Sequence, residues 1–278
     1  MSVRPDDDES LLPSALCSGT RPFRQMAIYD APEWYDVDYA AYQGEISFYR
    51  FLLGRFLPAD GVVVELGAGT GRLALEFAGD GHQVHAVEPS AAMRARLVKK
   101  RDEKQLQQKI DVEAAVAKDF RGPPKSPPLV IFPFNGVLHL SSRAELIASF
   151  RHVRARLNGA GRFAIDMTGP YWESMLLGSV PWGRVDARVH PVTGRPVHTC
   201  DRSTYDSATR TMRVDIRYLH DDEAEGVEVA LTQRMWTYPE VLAALEETGF
   251  SIELLFGDVD LSPFDDGAAR MLVCVQSA

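Results

Sequence analysis

The stretch ELGAGTGR, residues 65–72, is the feature that most restricts the fold of this chain. A run of valines and a glutamate precede three closely spaced glycines, and an amphipathic stretch rich in alanine and leucine follows them. This order predicts a buried strand from Val62 to Leu66, a tight turn, and a helix from Thr70 to Ala78. Such a turn presents backbone N–H groups and the positive end of the helix dipole to a ligand at the edge of a sheet.

The same alternation of β-branched runs and helical stretches continues along the chain. Further strands are predicted at Val84 to Val87, Ile110 to Val116, Leu129 to Phe132, Arg162 to Asp166, Ile252 to Phe256 and Met271 to Val275. Helices lie between them and begin at cap residues such as Ser90, Ser142 and Thr237. Strands that alternate with helices predict βαβ units and a parallel sheet, so the fold class is α/β and Rossmann-like.

Two regions depart from this alternation. Residues 1–25 are rich in proline, serine and acidic residues, which predicts a flexible N-terminal segment ahead of one domain over residues 26–278. Within that domain, stretches such as TMRVDIRYL alternate apolar and polar residues strictly. This period of two predicts an antiparallel β insertion within residues 171–236, built as a three-stranded meander.

Composition and charge exclude several classes of function. The chain is 45% hydrophobic and 25% charged, and no apolar run approaches the roughly 20 residues that cross a bilayer. The N-terminus lacks the basic and then apolar layout of a secretory signal, so we expect a cytoplasmic protein without membrane association. A net charge of −9 makes nucleic acid a poor partner, because proteins that neutralise phosphates carry basic surfaces. We expect a small-molecule substrate and a monomer or homodimer.

The cysteines and histidines give no metal or disulfide signature. Cys17, Cys200 and Cys274 are far apart and odd in number, which predicts ordinary reduced thiols. The histidines show no ligand spacing of the kind that zinc sites use. We therefore predict no metal.

The glycine spacing distinguishes between two nucleotide ligands. Dinucleotide sites use G-x-G-x-x-G, whereas here the third glycine, Gly71, comes one position early. An acidic residue before G-x-G-x-G, as with Glu65, favours the methyl donor S-adenosylmethionine. The second strand ends at Glu88, where a carboxylate can accept hydrogen bonds from both hydroxyls of a ribose.

With these motifs in place, the chain resembles the class I S-adenosylmethionine-dependent methyltransferases over roughly Tyr29 to the C-terminus. VVVELGAGTGR is similar to the first motif of that family, VHAVEPSAAM to its acidic second-strand motif, and LVIFPFNGVLHL to its fourth-strand motif. More narrowly, the chain resembles a bacterial small-molecule branch related to nucleotide-sugar N-methyltransferases and glycine N-methyltransferase. It implies a seven-stranded sheet of order 3-2-1-4-5-7-6 with the last strand antiparallel, and a place in secondary metabolism.

The resemblance also implies a set of cofactor contacts. Gly67, Ala68 and Gly69 would lie against the methionine part of the cofactor, with Glu65 near its amino group. Glu88 would bind the ribose, and Pro89 and Met93 would pack on the adenine. The full set of expected cofactor-binding residues is Glu65, Gly67, Ala68, Gly69, Gly71, Glu88, Pro89, Met93, Asp119, Pro133 and Tyr35. The family commonly has an acidic residue where this chain has Val116, so Asp119 or backbone carbonyls would have to bind the adenine amino group.

Methyl transfer is an in-line displacement in which the enzyme chiefly orients the nucleophile. His139 and Asp166 follow the fourth and fifth strands, at the edge where parallel sheets bind ligands, and are the expected catalytic residues. A structural role for each remains an alternative. The expected substrate-binding residues are Asn135, Tyr39, Trp172 and Trp236, each with packing as its alternative role.

The sequence thus predicts a methyltransferase that acts on a hydroxyl or amine of a small metabolite. Two alternatives stay open at this level. One is a cyclase or hydrolase that keeps the cofactor pocket, and the other is a nicotinamide-dependent oxidoreductase, which the glycine spacing disfavours.

Overall fold

The computed structural model describes residues 22–39, 41–169, 175, 177–183, 186–220, 223–265 and 267–277. Its helices are α1 (Pro32–Tyr39), α2 (Ile46–Phe56), α3 (Arg72–Gly79), α4 (Ala91–Glu103), α5 (Arg143–Arg156) and α6 (Tyr238–Glu247). Short 3-10 helices lie at Ile28–Asp30 and Gly136–His139. None of the helices in these ranges is long and apolar enough to cross a bilayer.

The strands divide between two sheets. The first sheet contains β2 (Val62–Leu66), β3 (Gln83–Val87), β4 (Ile110–Glu113), β5 (Leu129–Phe132), β6 (Arg162–Thr168), β12 (Phe250–Phe256) and β13 (Arg270–Ser277). The second sheet contains β1 (Phe23–Ala27), β7 (Ser179–Val180), β8 (Asp186–Val189), β9 (Pro196–Asp206), β10 (Thr211–Leu219) and β11 (Gly226–Arg234).

The first sheet has the order β12-β13-β6-β5-β2-β3-β4. Strand β13 runs antiparallel to both of its neighbours, and the pairs among β2 to β6 are parallel. The expected order 3-2-1-4-5-7-6 with an antiparallel last strand is therefore confirmed. Strands such as β5, in which all four residues are buried, have helices on both faces, as parallel sheets require.

Two apolar clusters cover the two faces of this sheet. One contains the buried side chains of α2 and α3 together with Val63, Ile131 and Leu272. The other contains those of α5 and α6, and it continues into the inner face of the second sheet through Val214 and Ile216. The second sheet is thus packed against the first sheet and its helices α5 and α6.

The predicted meander is present as β9, β10 and β11, which pair antiparallel in sequence order. Sequence reasoning missed its extension by β1, which pairs parallel to β11 from Phe23↔Gly226 to Ala27↔Ala230. Strand β1 begins at Phe23, inside the segment 1–25 that we expected to be flexible. Residues 1–21 lie outside the described part of the chain.

One cysteine departs from the prediction of reduced thiols. Cys200 is disulfide-bonded, whereas Cys274 is free and buried. The prediction is wrong for Cys200 because the spacing of cysteines along the chain does not tell which of them meet in the fold.

Candidate active site

A cavity of about 540 Å³ opens at the carboxyl ends of β2 to β5. This volume lies in the range of small-molecule sites, and the position is where open α/β sheets bind ligands. On one side lie the loops that follow these four strands, which we call the floor (residues 67–71, 88–90, 115–117 and 133–136). On the other side lies the cover, made of residues 28–39 with Leu231 and Gln233 of β11.

The glycine loop of the floor depends on left-handed backbone. Gly67, Gly69 and Gly71 have φ values of +67°, +57° and +86°, which side chains with a Cβ rarely adopt. A Cβ at Gly69 would meet no atom within 4 Å, whereas one at Gly71 would lie 2.8 Å from Cγ of Leu97. Gly67, Ala68 and Gly69 line the cavity, and Gly71 instead permits close packing of α3 on α4.

Glu65 lies buried at the end of β2 and lines the cavity. Burial raises the pKa of its carboxyl to about 8. Its Oε2 atom is buried and has no hydrogen-bond partner among the residues that the structure describes. A buried acceptor without a partner costs free energy, and a ligand ammonium would remove that cost. This orphaned oxygen fits the α-ammonium of an S-adenosylmethionine molecule whose amino-acid end lies at the loop.

Glu88 follows β3 and is also buried, and burial raises its pKa. Its Oε2 accepts a hydrogen bond of 2.8 Å from the backbone N–H of Gly69, and its Oε1 accepts one of 2.8 Å from that of Ser90. These bonds tie the glycine loop to the loop after β3. Each carboxylate oxygen keeps a second lone pair that can receive a ribose hydroxyl.

The end of the cavity expected to hold the adenine lacks the acidic residue that is common in the family, as the sequence indicated. Ala115, Val116 and Ala117 line the cavity after β4, whereas Asp119 is exposed outside it and accepts a hydrogen bond of 3.2 Å from the backbone N–H of Val116. Met93 is fully buried beneath the floor and does not line the cavity. Small apolar side chains and backbone therefore form this end.

The turn after β5 is strained and held in place from β6. Phe134 and Asn135 both have positive φ, at 52° and 61°, which is uncommon for residues with a Cβ. The backbone N–H of Phe134 donates to Asp166 Oδ1 at 2.7 Å, and that of Thr168 donates to Asn135 Oδ1 at 2.7 Å. The turn presents Pro133 and Asn135 to the cavity.

Asp166 does not line the cavity. Its Oδ1 accepts a hydrogen bond of 2.5 Å from the hydroxyl of Tyr49, and its Oδ2 lies 3.5 Å from a guanidinium nitrogen of Arg270. Burial raises the pKa of its carboxyl to about 6. With both oxygens engaged below the floor, its contacts are those of a residue that positions the strained turn.

His139 ends the 3-10 helix Gly136–His139 and faces the cavity. Its Nε2 lies 2.8 Å from the hydroxyl of Tyr29 and 3.4 Å from the amide nitrogen of Gln233. Desolvation by the surrounding protein lowers the pKa of His139 to about 4, so its ring is neutral at physiological pH. Since a neutral imidazole carries one acceptor nitrogen, the ring can accept one hydrogen bond from a ligand or neighbour.

Sequence reasoning missed both neighbours of His139. Tyr29 is one of several tyrosines between residues 29 and 49, and nothing next to it in the chain indicates that it meets His139. Gln233 had a usable signal, because it interrupts the inward apolar positions Val227, Val229 and Leu231 of β11. A buried amide at such a position requires a polar partner.

The tyrosines of α1 close the cavity from above. The rings of Tyr35 and Tyr39 lie 4.8 Å apart, and that of Tyr39 lies 5.2 Å from the ring of Phe134 in the floor. Burial raises the pKa of Tyr39 to about 12, so its hydroxyl stays protonated and can donate a hydrogen bond.

Most of the predicted site residues meet at this cavity. Those that line it are Glu65, Gly67, Ala68, Gly69, Glu88, Pro89, Pro133, Tyr35, Asn135, Tyr39 and His139. Those that do not line it are Gly71, Met93, Asp119, Asp166 and Trp236. Trp236 is buried and donates from Nε1 to the carbonyl of Leu140 at 2.9 Å, while Trp172 lies outside the described residues.

Comparison with known proteins agrees with this geometry. Residues 63–161 match the model of a methyltransferase domain. No curated protein sequence matches the chain at a significant level.

Among solved structures, the CcbJ methyltransferase from Streptomyces caelestis has a TM-score of 0.76 at 18% identity, over 91% of this chain and 98% of that one. The sugar N-methyltransferase KedS8 from Streptoalloteichus has a TM-score of 0.65 at 20% identity, over 88% and 91% of the two chains. CalS10, an amino pentose methyltransferase from Micromonospora echinaspora solved with S-adenosylmethionine bound, has a TM-score of 0.60 at 21% identity, over 91% and 98%.

Proposed function

We propose that this S-adenosylmethionine-dependent methyltransferase transfers the methyl group to an amine of a small, sugar-like metabolite. The observation that carries the choice of an amine is His139, which faces the cavity with a neutral, weakly basic ring. When bound, S-adenosylmethionine would supply a sulfonium-activated methyl group for in-line attack by a nitrogen lone pair, with S-adenosylhomocysteine as the leaving group. Glu65, the glycine loop and Glu88 line the cavity at the floor and would hold that donor there.

A hydroxyl acceptor needs a base in the transition state, and general bases work best when their pKa lies near the operating pH. A pKa of about 4 makes His139 a poor base for a hydroxyl. Asp166, the other expected catalytic residue, is occupied by Tyr49 and Phe134 and does not line the cavity. An amine that enters unprotonated needs no base, so these properties favour nitrogen as the acceptor.

In this proposal His139 acts by orientation. The acceptor nitrogen of His139 receives a hydrogen bond from an N–H of the substrate amine, or the imidazole and the amine both contact the Tyr29 hydroxyl. Either contact would orient the lone pair of the amine toward the methyl carbon. Correct placement of reacting atoms supplies much of the rate of such displacements. Gln233 holds the His139 ring from the cover.

The names of the structural neighbours support the same class of acceptor. KedS8 acts on a sugar nitrogen and CalS10 on an amino pentose, as their descriptions state. We infer further that the protein works in the cytoplasm as a monomer or homodimer and has no nucleic-acid partner. The net charge of −9 supports the last point.

The test compares matched acceptors. Nucleoside-diphosphate amino sugars and the same sugars with a hydroxyl in place of the amine are incubated with the enzyme and S-adenosylmethionine, and methylated product is identified by mass spectrometry. Methylation of the amine members alone is the expected result. Methylation of a hydroxyl member at an equal rate would show that the choice of nitrogen is wrong, and cyclised or hydrolysed products would favour the same fold with other chemistry.

A further inference from the structure

A buried carboxylate outside the cavity, Asp36, joins the cover to the floor. It lies on α1 with 3% of its surface exposed. Its Oδ1 accepts a hydrogen bond of 2.6 Å from the hydroxyl of Thr70, the residue between the last two glycines of the loop. The Nε of Arg96 donates to Oδ2 at 2.8 Å, and the Nζ of Lys100 lies 3.0 Å from Oδ1.

These contacts join three elements of the site: α1, the glycine loop and α4. Thr70 is itself buried within the glycine loop, and Arg96 and Lys100 belong to α4, which begins just after Glu88. Burial lowers the pKa of Lys100, whereas the charge of Asp36 opposes that shift. The carboxylate of Asp36 thus connects α1 to both the loop after β2 and the helix after β3.

A second tie joins the same parts. The hydroxyl of Ser90 donates to the backbone carbonyl of Tyr29 at 2.7 Å and also caps α4 by accepting from the N–H of Met93. Ser90 is the residue whose N–H binds Glu88. The segment with Tyr29, Tyr35 and Tyr39, which lies over the cavity, is therefore hydrogen-bonded to the loops after β2 and β3, which would hold the cofactor.

The geometry points to Asp36 as a positioning residue that couples the order of α1 to the conformation of the glycine loop. In this inference, cofactor binding and closure of α1 stabilise each other, and the Thr70–Asp36 hydrogen bond transmits the effect. Such coupling is reciprocal: a ligand that fixes the loop must also stabilise the helix, by the same free energy. The inference concerns the cofactor only, so it stands whether the acceptor is an amine or a hydroxyl.

The test removes the hydroxyl of Thr70 and keeps its shape, with Thr70→Val in the full chain. S-adenosylhomocysteine binding is measured by calorimetry, and hydrogen exchange of residues 28–39 is followed with and without that ligand. We expect about tenfold weaker binding, since a hydrogen bond to a charged group is lost, and loss of the ligand-induced protection of α1. Thr70→Ser should restore both.

The matched control is Glu33→Gln, which makes the same charge change as Asp36→Asn on the same helix but at an exposed side chain. Asp36→Asn should behave like Thr70→Val, and Glu33→Gln like the unmodified protein. Thermal melts of all variants show whether they fold. If Thr70→Val does not fold, Asp36→Asn takes its place in the test. Unchanged affinity in both Thr70→Val and Asp36→Asn would overturn the inference. Weaker binding with full protection of α1 would also overturn it, because Asp36 would then support the loop alone.

Discussion

The floor and the cover of the cavity are built in different ways. The floor consists of short loops whose conformation is set within a few residues, by glycines at positive φ and by the carboxylates at the strand ends. The cover brings together segments that are far apart in the chain: Tyr29 meets His139 across 110 positions, and Gln233 meets it across 94. The floor suits one fixed cofactor, whereas the cover is the part that can vary with the acceptor.

The largest expected effect comes from substituting two glycines of the floor, one of which should affect cofactor binding and the other stability. Gly69→Arg places a long side chain at a cavity-lining position where a Cβ meets no atom within 4 Å, so its cost to stability is the strain of a φ of +57°, and we expect a folded protein that no longer binds S-adenosylmethionine. Gly71→Ala puts a Cβ 2.8 Å from Leu97 at a φ of +86°, so we expect a lower melting temperature instead. Calorimetric titration and thermal melts of both variants measure this difference. Normal cofactor binding by Gly69→Arg would show that the glycine loop does not contact the cofactor.

The second prediction tests the charge of the floor through its pH dependence. Burial raises the pKa of Glu65 to about 8, so the carboxyl is mostly protonated in the free protein at pH 7. An arriving ammonium favours the ionised form, and binding should therefore release about one proton. Calorimetry in buffers of different ionisation enthalpy counts that proton, and Glu65→Gln should release none while binding more weakly.

The same shift affects stability. Because the folded-state pKa lies above the unfolded one, the contribution of Glu65 to stability is fully present below about pH 4 and is lost as pH rises toward 8. Glu65→Gln should flatten that part of the pH profile of urea unfolding. A profile identical to that of the unmodified protein would contradict the assignment of a buried, protonated carboxyl.

The third prediction concerns the residue between floor and cover. His139→Ala removes an orienting group and should lower kcat about 100-fold while the affinity for S-adenosylmethionine stays the same. Because the pKa of His139 lies at about 4, its titration should not appear in the pH–rate profile between pH 6 and 9. An acidic limb, with activity lost as pH falls, that disappears in His139→Asn would instead identify His139 as a general base.

The smallest expected effect is confined to the cover. Gln233→Leu keeps the inner face of β11 filled but removes the amide next to His139, so KM for the acceptor should rise about fivefold, equivalent to ~1 kcal/mol. Thr232→Val is the control, since Thr232 is exposed on the opposite face of the strand. Cofactor affinity should be unchanged in both. An equal change in the two variants would mean that the strand itself was disturbed.

Much of the floor could be predicted because its determinants are local. Gly67 and Gly69 specify the turn, and Glu65 and Glu88 follow from their places at strand ends, so all four reach the cavity as expected. Two of the predicted site residues, Asp166 and Trp236, do not line the cavity. Asp166 points below the floor to Tyr49, and Trp236 points to Leu140, and neither direction is encoded in the residues next to them.

The sequence by itself determined the alternation of strands and helices, the glycine loop and the antiparallel period of β9 to β11. These are backbone and burial requirements that neighbouring residues satisfy. Only the tertiary structure decided that β1 joins β11, that Tyr29 and Gln233 meet His139, and that Asp36 fastens α1 to Thr70. Contacts across so many residues depend on how the two sheets pack, since closing long loops carries an entropy cost that only the assembled core offsets.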